Sequence, residues 1–101
     1  NGERGVNIEP AFDWRDLTLS LITRETRGRF GLSESARGTI ITSVTAGTAA
    51  DKAGFRAGQV VRRVNGEPAR GLRQVRKLLQ AARGRVIVTI DGQPPRDITM
   101  P

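Results

Sequence analysis

The chain has 101 residues, 37% of them hydrophobic, and contains neither cysteine nor histidine. This length fits one domain with a single modest core, and the hydrophobic fraction favours a globular chain over a disordered one. Without cysteine there is no disulfide or thiol chemistry. Without histidine there is no Ser-His-Asp or Cys-His arrangement and no histidine metal site within this chain. No apolar run approaches the length of a membrane span.

The formal net charge is +7, and 15 of the 17 cationic residues are arginine. A strongly basic charge is typical of domains that bind nucleic acid. However, the arginines occur in every segment, alternate with acidic residues and are not interleaved with aromatic residues, so a solvated surface is the favoured interpretation and no nucleic acid is expected. The acidic residues are scattered, mostly at caps and turns, and no phosphate-binding glycine loop occurs. We therefore expect a non-catalytic domain without metal or cofactor.

The N-terminal segment differs in pattern from the rest of the chain. Two glycines and a proline interrupt residues 1–13, which predicts a linker or N-terminal arm before a domain at 14–101. No signal-peptide pattern is seen, and the start at Asn1-Gly2-Glu3-Arg4 predicts a piece of a longer protein. Phe12 and Trp14 are expected to fold back on the core.

The middle of the chain carries agreeing local signals. The β-branched segment within Gly38–Gly47 predicts a buried strand. A capping pair opens a short helix over Thr48–Ala53, and Gly54 stands where such a helix needs a left-handed residue. A second strand over Val60–Val64 ends at Asn65-Gly66, the strongest two-residue hairpin signal.

In each of the remaining segments the apolar residues recur with the period of either a strand or a helix. Leucines at 17, 19 and 21 alternate with Thr18 and Ser20, which predicts a half-buried strand. Apolar residues from Leu72 to Ala82 follow a helical stripe, and Gly84 ends it. Residues 85–91 read as a strand, and Ile98 with Met100 as an edge strand after a proline-containing turn.

The central run resembles the core of a bacterial PDZ domain, most closely the type found in HtrA/Deg serine proteases. The run is Gly38-x-Ile40-Ile41-x-x-Val44-x-x-Gly47-Thr48-x-Ala50-x-x-Ala53-Gly54-Phe55-x-x-Gly58-x-Val60-Val61-x-x-Val64-Asn65-Gly66. A looser resemblance extends from Trp14 to Met100. Ala49 replaces the usual proline, and Gln59 replaces the usual aspartate. The resemblance implies an α+β, PDZ-like fold, a small partly open antiparallel barrel or sandwich of five or six strands capped by two helices.

The resemblance also implies a peptide groove. A ligand strand would add beside Leu17–Leu21, with the helix from Leu72 as the other wall. The loop Arg15–Leu19 takes the place of the family's carboxylate-binding loop, where backbone N–H groups converge on a terminal carboxylate. Arg15 would add charge there, whereas Thr18 replaces the motif's second glycine and its Cβ hinders a positive φ.

We assign Val75, Leu78 and Ala82 to the core, and expect an apolar pocket from Leu17, Leu19 and Leu79. The candidate peptide-binding residues are Arg15, Asp16, Leu17, Thr18, Leu19, Ser20, Leu21, Leu72, Arg76 and Leu79.

Three functions follow from these patterns. The first is a peptide-binding module that captures extended C-terminal segments of partner or substrate proteins. By resemblance it would regulate a protease domain in the same parent chain, in the bacterial periplasm or cell envelope. The second is a structural or assembly module with no open groove that binds a folded acidic partner, which Thr18 and the arginine density favour. The third, electrostatic binding of nucleic acid or an anionic membrane, would show steep salt dependence.

Overall fold

A computed structural model describes residues 11–92 and 94–101 of the chain. Within these residues the backbone forms seven strands and three helices. In chain order the elements are β1 (Ala11–Trp14), β2 (Leu17–Leu21), α1 (Arg24–Phe30), β3 (Thr39–Val44), α2 (Ala49–Ala53), β4 (Val60–Val64), β5 (Glu67–Pro68), α3 (Leu72–Ala81), β6 (Val86–Ile90) and β7 (Arg96–Met100). The predicted α+β class is confirmed. The structure has more elements than the five or six strands and two helices expected. Helices α1 and α2 both form in addition to α3, and strands β1 and β5 join the sheet.

All the strands pair in one antiparallel sheet. The order is β1-β2-β3-β4-β6-β7, and β5 pairs with β4. The sheet curls, since Arg15 in the turn after β1 donates a hydrogen bond to the carbonyl of Pro101, just after β7, at 3.4 Å. The sheet is therefore open but curved, so that its first and last strands come near each other. Strands β1 and β7 form its two edges.

The core combines one side of this sheet with α2, α3 and Phe55. Phe55 follows α2 and is completely buried. Helix α3 contacts β1, β2 and β4, which places it across the N-terminal hairpin. The buried cluster comprises Leu17, Leu19, Ile41, Ala50, Phe55, Val61, Val64, Val75, Leu79, Val86, Val88, Ile90, Ile98 and Met100. Apolar burial on this scale is the main stabilising term for so small a domain.

Helix α2 begins and ends where the local sequence predicts. The Thr48 hydroxyl accepts from the backbone N–H of Asp51, and the Asp51 carboxylate accepts from the N–H of Gly47 at 2.9 Å. At the other end Gly54 has φ 109°, and its N–H donates to the carbonyls of Ala50 and Asp51. A residue with a Cβ is strained at this φ, so glycine is required for the turn that delivers Phe55 to the core.

Replacing Gly54 with valine is expected to lower the free energy of unfolding by about 1 kcal/mol or more, because a β-branched residue does not tolerate φ 109°. Gly28 offers a matched control, since it lies inside α1 and an added Cβ would meet nothing within 4 Å. Gly28→Ala should leave stability unchanged or raise it by about 0.5–1 kcal/mol. Urea unfolding followed by circular dichroism measures both. Equal stability for the Gly54 variant and the wild type would show that Gly54 does not end α2.

Candidate peptide-binding groove

Strand β2, the expected acceptor of a ligand strand, is paired on both of its edges. On one side Leu17 and Leu21 pair with Val44 and Thr39 of β3. On the other side β1 runs antiparallel along β2, from Ala11 opposite Ser20 to Trp14 opposite Leu17. The edge that a peptide would use is therefore covered by the chain itself. Residues 11–13, predicted from the sequence as part of the arm, lie in β1. Residues 1–10 lie outside the described part of the chain.

The turn between β1 and β2 consists of Arg15 and Asp16 alone. Both have positive φ, 46° and 68°, which is the pattern of a type I′ hairpin turn. The hairpin between β4 and β5 uses the same pattern at Asn65 and Gly66, with φ 50° and 84°. Glycine adopts these angles without strain and asparagine and aspartate tolerate them, whereas arginine is strained there. The turn after β1 is thus the less stable of the two hairpin turns.

Most of the predicted carboxylate-binding loop, Arg15–Leu19, is strand in the structure. Only Arg15 and Asp16 lie outside strands, while Leu17, Thr18 and Leu19 belong to β2. The Arg15 guanidinium donates to the carbonyl of Gly84 at 2.6 Å, so its hydrogen bonds go to the protein's own backbone. It also lies 4.8 Å from the centre of the neighbouring Trp14 ring. The physical reason is the two-residue turn, which leaves no loop in which successive N–H groups can converge.

Thr18 has a structural partner across the hairpin. Its hydroxyl donates to the Asp13 carboxylate at 2.8 Å, between two residues that face each other in the β1–β2 ladder. The Thr18 carbonyl accepts from the hydroxyl of Thr42 on β3, at 3.3 Å. Neighbouring Ser20 is buried. These contacts hold β2 in place but leave its outer backbone edge facing β1.

Three of the expected pocket residues lie in the core. Leu17, Leu19 and Leu79 are each at most 2% exposed, so they do not line an open pocket in this state. On α3, Val75 and Leu79 stand four residues apart and both point into the core. Leu78, a core residue by prediction from the sequence, is only partly buried. The difference arises because the buried stripe of α3 is centred on Val75 and Leu79.

An open cleft of about 830 Å³ lies between the start of β1, the end of β2 and the first half of α3. Of the predicted site residues, Leu21, Leu72 and Arg76 line this cleft. The Arg76 guanidinium lies 5.8 Å from the centre of the Phe12 ring, which is a cation–π distance. The cleft therefore has an apolar floor and a cationic rim. We call it the β2–α3 cleft.

Several lining residues of the cleft are not among the candidates predicted from the sequence. Ala11 and Phe12 fall in the predicted arm, and the sequence pattern alone makes Arg70, Arg73 and Lys77 part of a solvated surface. A signal was present: the cations at 70, 73, 76 and 77 fall at helical spacing along one face. Their functional meaning depends on what lies opposite that face, which the spacing alone does not show.

Comparison with known proteins gives the family. A family model described as a PDZ domain matches residues 40–90, just over half of the chain. The chain belongs to the PDZ domain family. Over 70 residues, this PDZ domain is 33% identical to a probable periplasmic serine endoprotease, DegP-like, of Rhizobium meliloti (strain 1021), with 69% of the chain aligned. It spans only 14% of that relative's length.

A solved structure of the HtrA-type protease AlgW with decapeptide has the same fold. The TM-score is 0.72 at 17% identity, and the match covers 88% of this chain and 28% of that one. The predicted HtrA/Deg type is confirmed by these matches together. Both relatives are proteases, but the PDZ domain corresponds to only a small part of each. As a PDZ domain, the chain is a protein-interaction module.

Two further properties follow from the described part of the chain. No helix in it is long and apolar enough to cross a membrane. No cluster of acidic side chains in residues 11–92 and 94–101 is arranged to hold a metal ion.

The different burial of Leu79 and Leu72 predicts different effects of truncation. Leu79→Ala should lower the free energy of unfolding by about 2–5 kcal/mol, because it leaves a cavity in the core. Leu72→Ala should lower it less, because Leu72 is only partly buried at the cleft. Thermal and urea unfolding of the two variants measure the difference. Equal losses would contradict the assignment of Leu79 to the core and Leu72 to the cleft.

Proposed function

We propose that this PDZ domain captures extended C-terminal segments of partner or substrate proteins by strand addition beside β2, with the peptide taking the place of β1. The observation that carries the proposal is β1 itself. This four-residue extended segment pairs with β2 along its whole length and contacts α3, which supports strand addition at this place. The ten candidate residues named from the sequence then divide into the pairing strand β2, its turn, and the wall supplied by α3.

The direction of β1 supports this proposal. Its last residue, Trp14, pairs with Leu17 at the start of β2. A peptide whose terminal carboxylate reaches the loop before β2 would run in the same direction, antiparallel to β2. Once β1 leaves, residues 15 and 16 no longer form a tight turn. Arg15 and the freed backbone N–H groups then become available for a terminal carboxylate.

Strand β1 is suited to exchange because few of its side chains are buried. Ala11 and Asp13 are exposed, and Phe12 and Trp14 are half-buried. The turn that ties β1 to β2 has two non-glycine residues in the left-handed region, an unfavourable arrangement of order 1 kcal/mol each. The backbone hydrogen bonds that β1 makes with β2 are of a kind that any extended peptide can replace. The domain would thus run from 14 to 101, and residues 11–13 of the arm lie across the groove as part of β1.

The relatives supply the context of the proposal. AlgW was solved with a decapeptide, and the DegP-like relative is described as a periplasmic serine endoprotease. By extension, the domain recruits or senses substrates for a protease domain in the same parent chain, in the bacterial periplasm or cell envelope. The catalytic groups would belong to that domain, since this chain has no histidine. No cofactor and no nucleic acid are required.

Altering the stability of the β1–β2 hairpin should alter peptide affinity in the opposite sense. Asp16→Gly relieves the strain at φ 68° and should weaken peptide binding about two- to fivefold. Asp13→Ala removes the 2.8 Å hydrogen bond from Thr18 and should strengthen binding. Titrations of the full chain with a library of free-acid and amidated C-terminal peptides, followed by NMR, measure both effects.

Asp16→Asn is the matched control, because asparagine tolerates positive φ much as aspartate does but removes the charge. Its affinity should stay close to that of the wild type. If Asp16→Gly and Asp13→Ala both bind peptides like the wild type, β1 is not displaced by the peptide. Equal affinity for free-acid and amidated peptides would remove terminal-carboxylate capture from the proposal.

The covered edge of β2 also favours a second candidate function. If β1 stays in place, the domain is a structural or assembly module that presents a closed groove and a cationic surface to a folded acidic partner. The same titration separates the two functions. A module of this kind would bind no peptide from the library in any of the variants.

A further inference from the structure

We infer that the β2–α3 cleft selects acidic segments, and specifically an extended peptide with two carboxylate side chains two residues apart next to an apolar one. This inference rests on the proposed function and names its ligand class. It goes beyond strand addition, because main-chain pairing with β2 is indifferent to side-chain charge.

The charge of the cleft is one-sided. Four cationic residues line it: Arg70, Arg73, Arg76 and Lys77. Among residues 11–92 and 94–101, no acidic residue lines it. Elsewhere on the described surface, two arginines have acidic partners. Arg62 pairs with Asp91 at 2.6 Å, and Arg56 pairs with Asp51 at 3.0 Å. Within residues 11–92 and 94–101, none of the four cleft cations forms such an ion pair. A carboxylate brought to the cleft would therefore meet charges that no acidic residue in the described part of the chain neutralises.

The spacing of these cations suits an extended ligand. From Arg73 to Lys77 the helix rises about 6 Å, at 1.5 Å per residue. In an extended peptide, side chains two residues apart lie on the same side and about 6.6 Å apart. Two carboxylates in the pattern acidic-x-acidic can therefore face Arg73 and Lys77 together, with Arg70 and Arg76 beside them.

The floor of the cleft supplies the apolar part of the specificity. Leu21 at the end of β2 and Leu72 at the start of α3 are both partly exposed at the cleft. These two residues stay in place whether or not β1 leaves. An aliphatic or aromatic side chain on the ligand would cover them. Ion pairs at so open a site contribute modestly, so charge acts here mainly by selecting among segments that already pair with β2.

The test compares two free-acid peptides of equal length that differ only in Glu-x-Glu against Gln-x-Gln, titrated by fluorescence anisotropy against the full 101-residue chain. The acidic peptide should bind about five- to tenfold more tightly at low ionic strength, and most of this difference should vanish at about 0.5 M salt. The double variant Arg73→Glu/Lys77→Glu should abolish the preference. The milder Arg73→Gln/Lys77→Gln should reduce it while altering the fold least.

The matched control is Arg24→Glu/Arg83→Glu, which changes the net charge by the same amount at two exposed positions outside the cleft. It should keep the preference. Equal binding of both peptides to the wild type would overturn the acidic selectivity and leave the proposed peptide function standing. Equal loss in the control and cleft variants would also overturn it, since general electrostatics would then explain the effect. Binding of neither peptide would overturn both the inference and the proposed function.

Discussion

The pairing of β1 with β2 is the contact on which the function of this domain depends. β2 is the strand that a PDZ ligand would extend, and in this structure the chain's own N-terminal strand occupies that position. A tethered strand competes strongly with a free peptide, since its effective concentration is high. The strained Arg15-Asp16 turn works in the other direction, because it weakens the hairpin. The balance between these two terms decides whether the groove opens to a partner or stays closed.

The rest of the site is organised by α3. Its buried stripe at Val75 and Leu79 anchors the helix to the core, which fixes the distance between the helix and β2. Its exposed side then presents cations to the cleft at a spacing that an extended chain can match. The domain thus separates two kinds of recognition. Backbone pairing at β2 accepts many sequences, whereas the charge and apolar floor at the cleft distinguish among them. The many arginines elsewhere are explained more simply as solvated or paired surface residues.

Much of the scaffold could be predicted because its local signals are strong. Gly54 ends α2 and Asn65-Gly66 forms a tight hairpin, since few other residues adopt positive φ without strain. The N-terminal hairpin escaped prediction for the complementary reason. The alternating leucines mark β2, but Arg15-Asp16 carries no turn signal, so nothing in the sequence marks β1 as its partner strand. Strand β1 is held by its pairing with β2 and by partial packing of Phe12 and Trp14 against the core, not by local propensity.

The candidate site was harder to predict than the fold. The helical stripe contains more apolar positions than one face can bury, so Leu78 and Leu79 could not be separated by spacing alone. The orientation of α3 relative to the sheet decides which of them is buried, and that orientation is a property of the assembled core. The cationic residues of the same helix could be recognised from their spacing. Their role depends on the β2–α3 cleft beside them, which the spacing does not show.

The most direct measurement is amide hydrogen exchange of the full chain, with and without a free-acid peptide bound, read residue by residue. If the peptide replaces β1, the amides of Ala11–Trp14 should lose protection on binding, while those of β2 stay protected by the new strand. If the amides of β1 keep their protection in the bound state, the peptide does not take the place of β1, and strand addition beside β2 is contradicted.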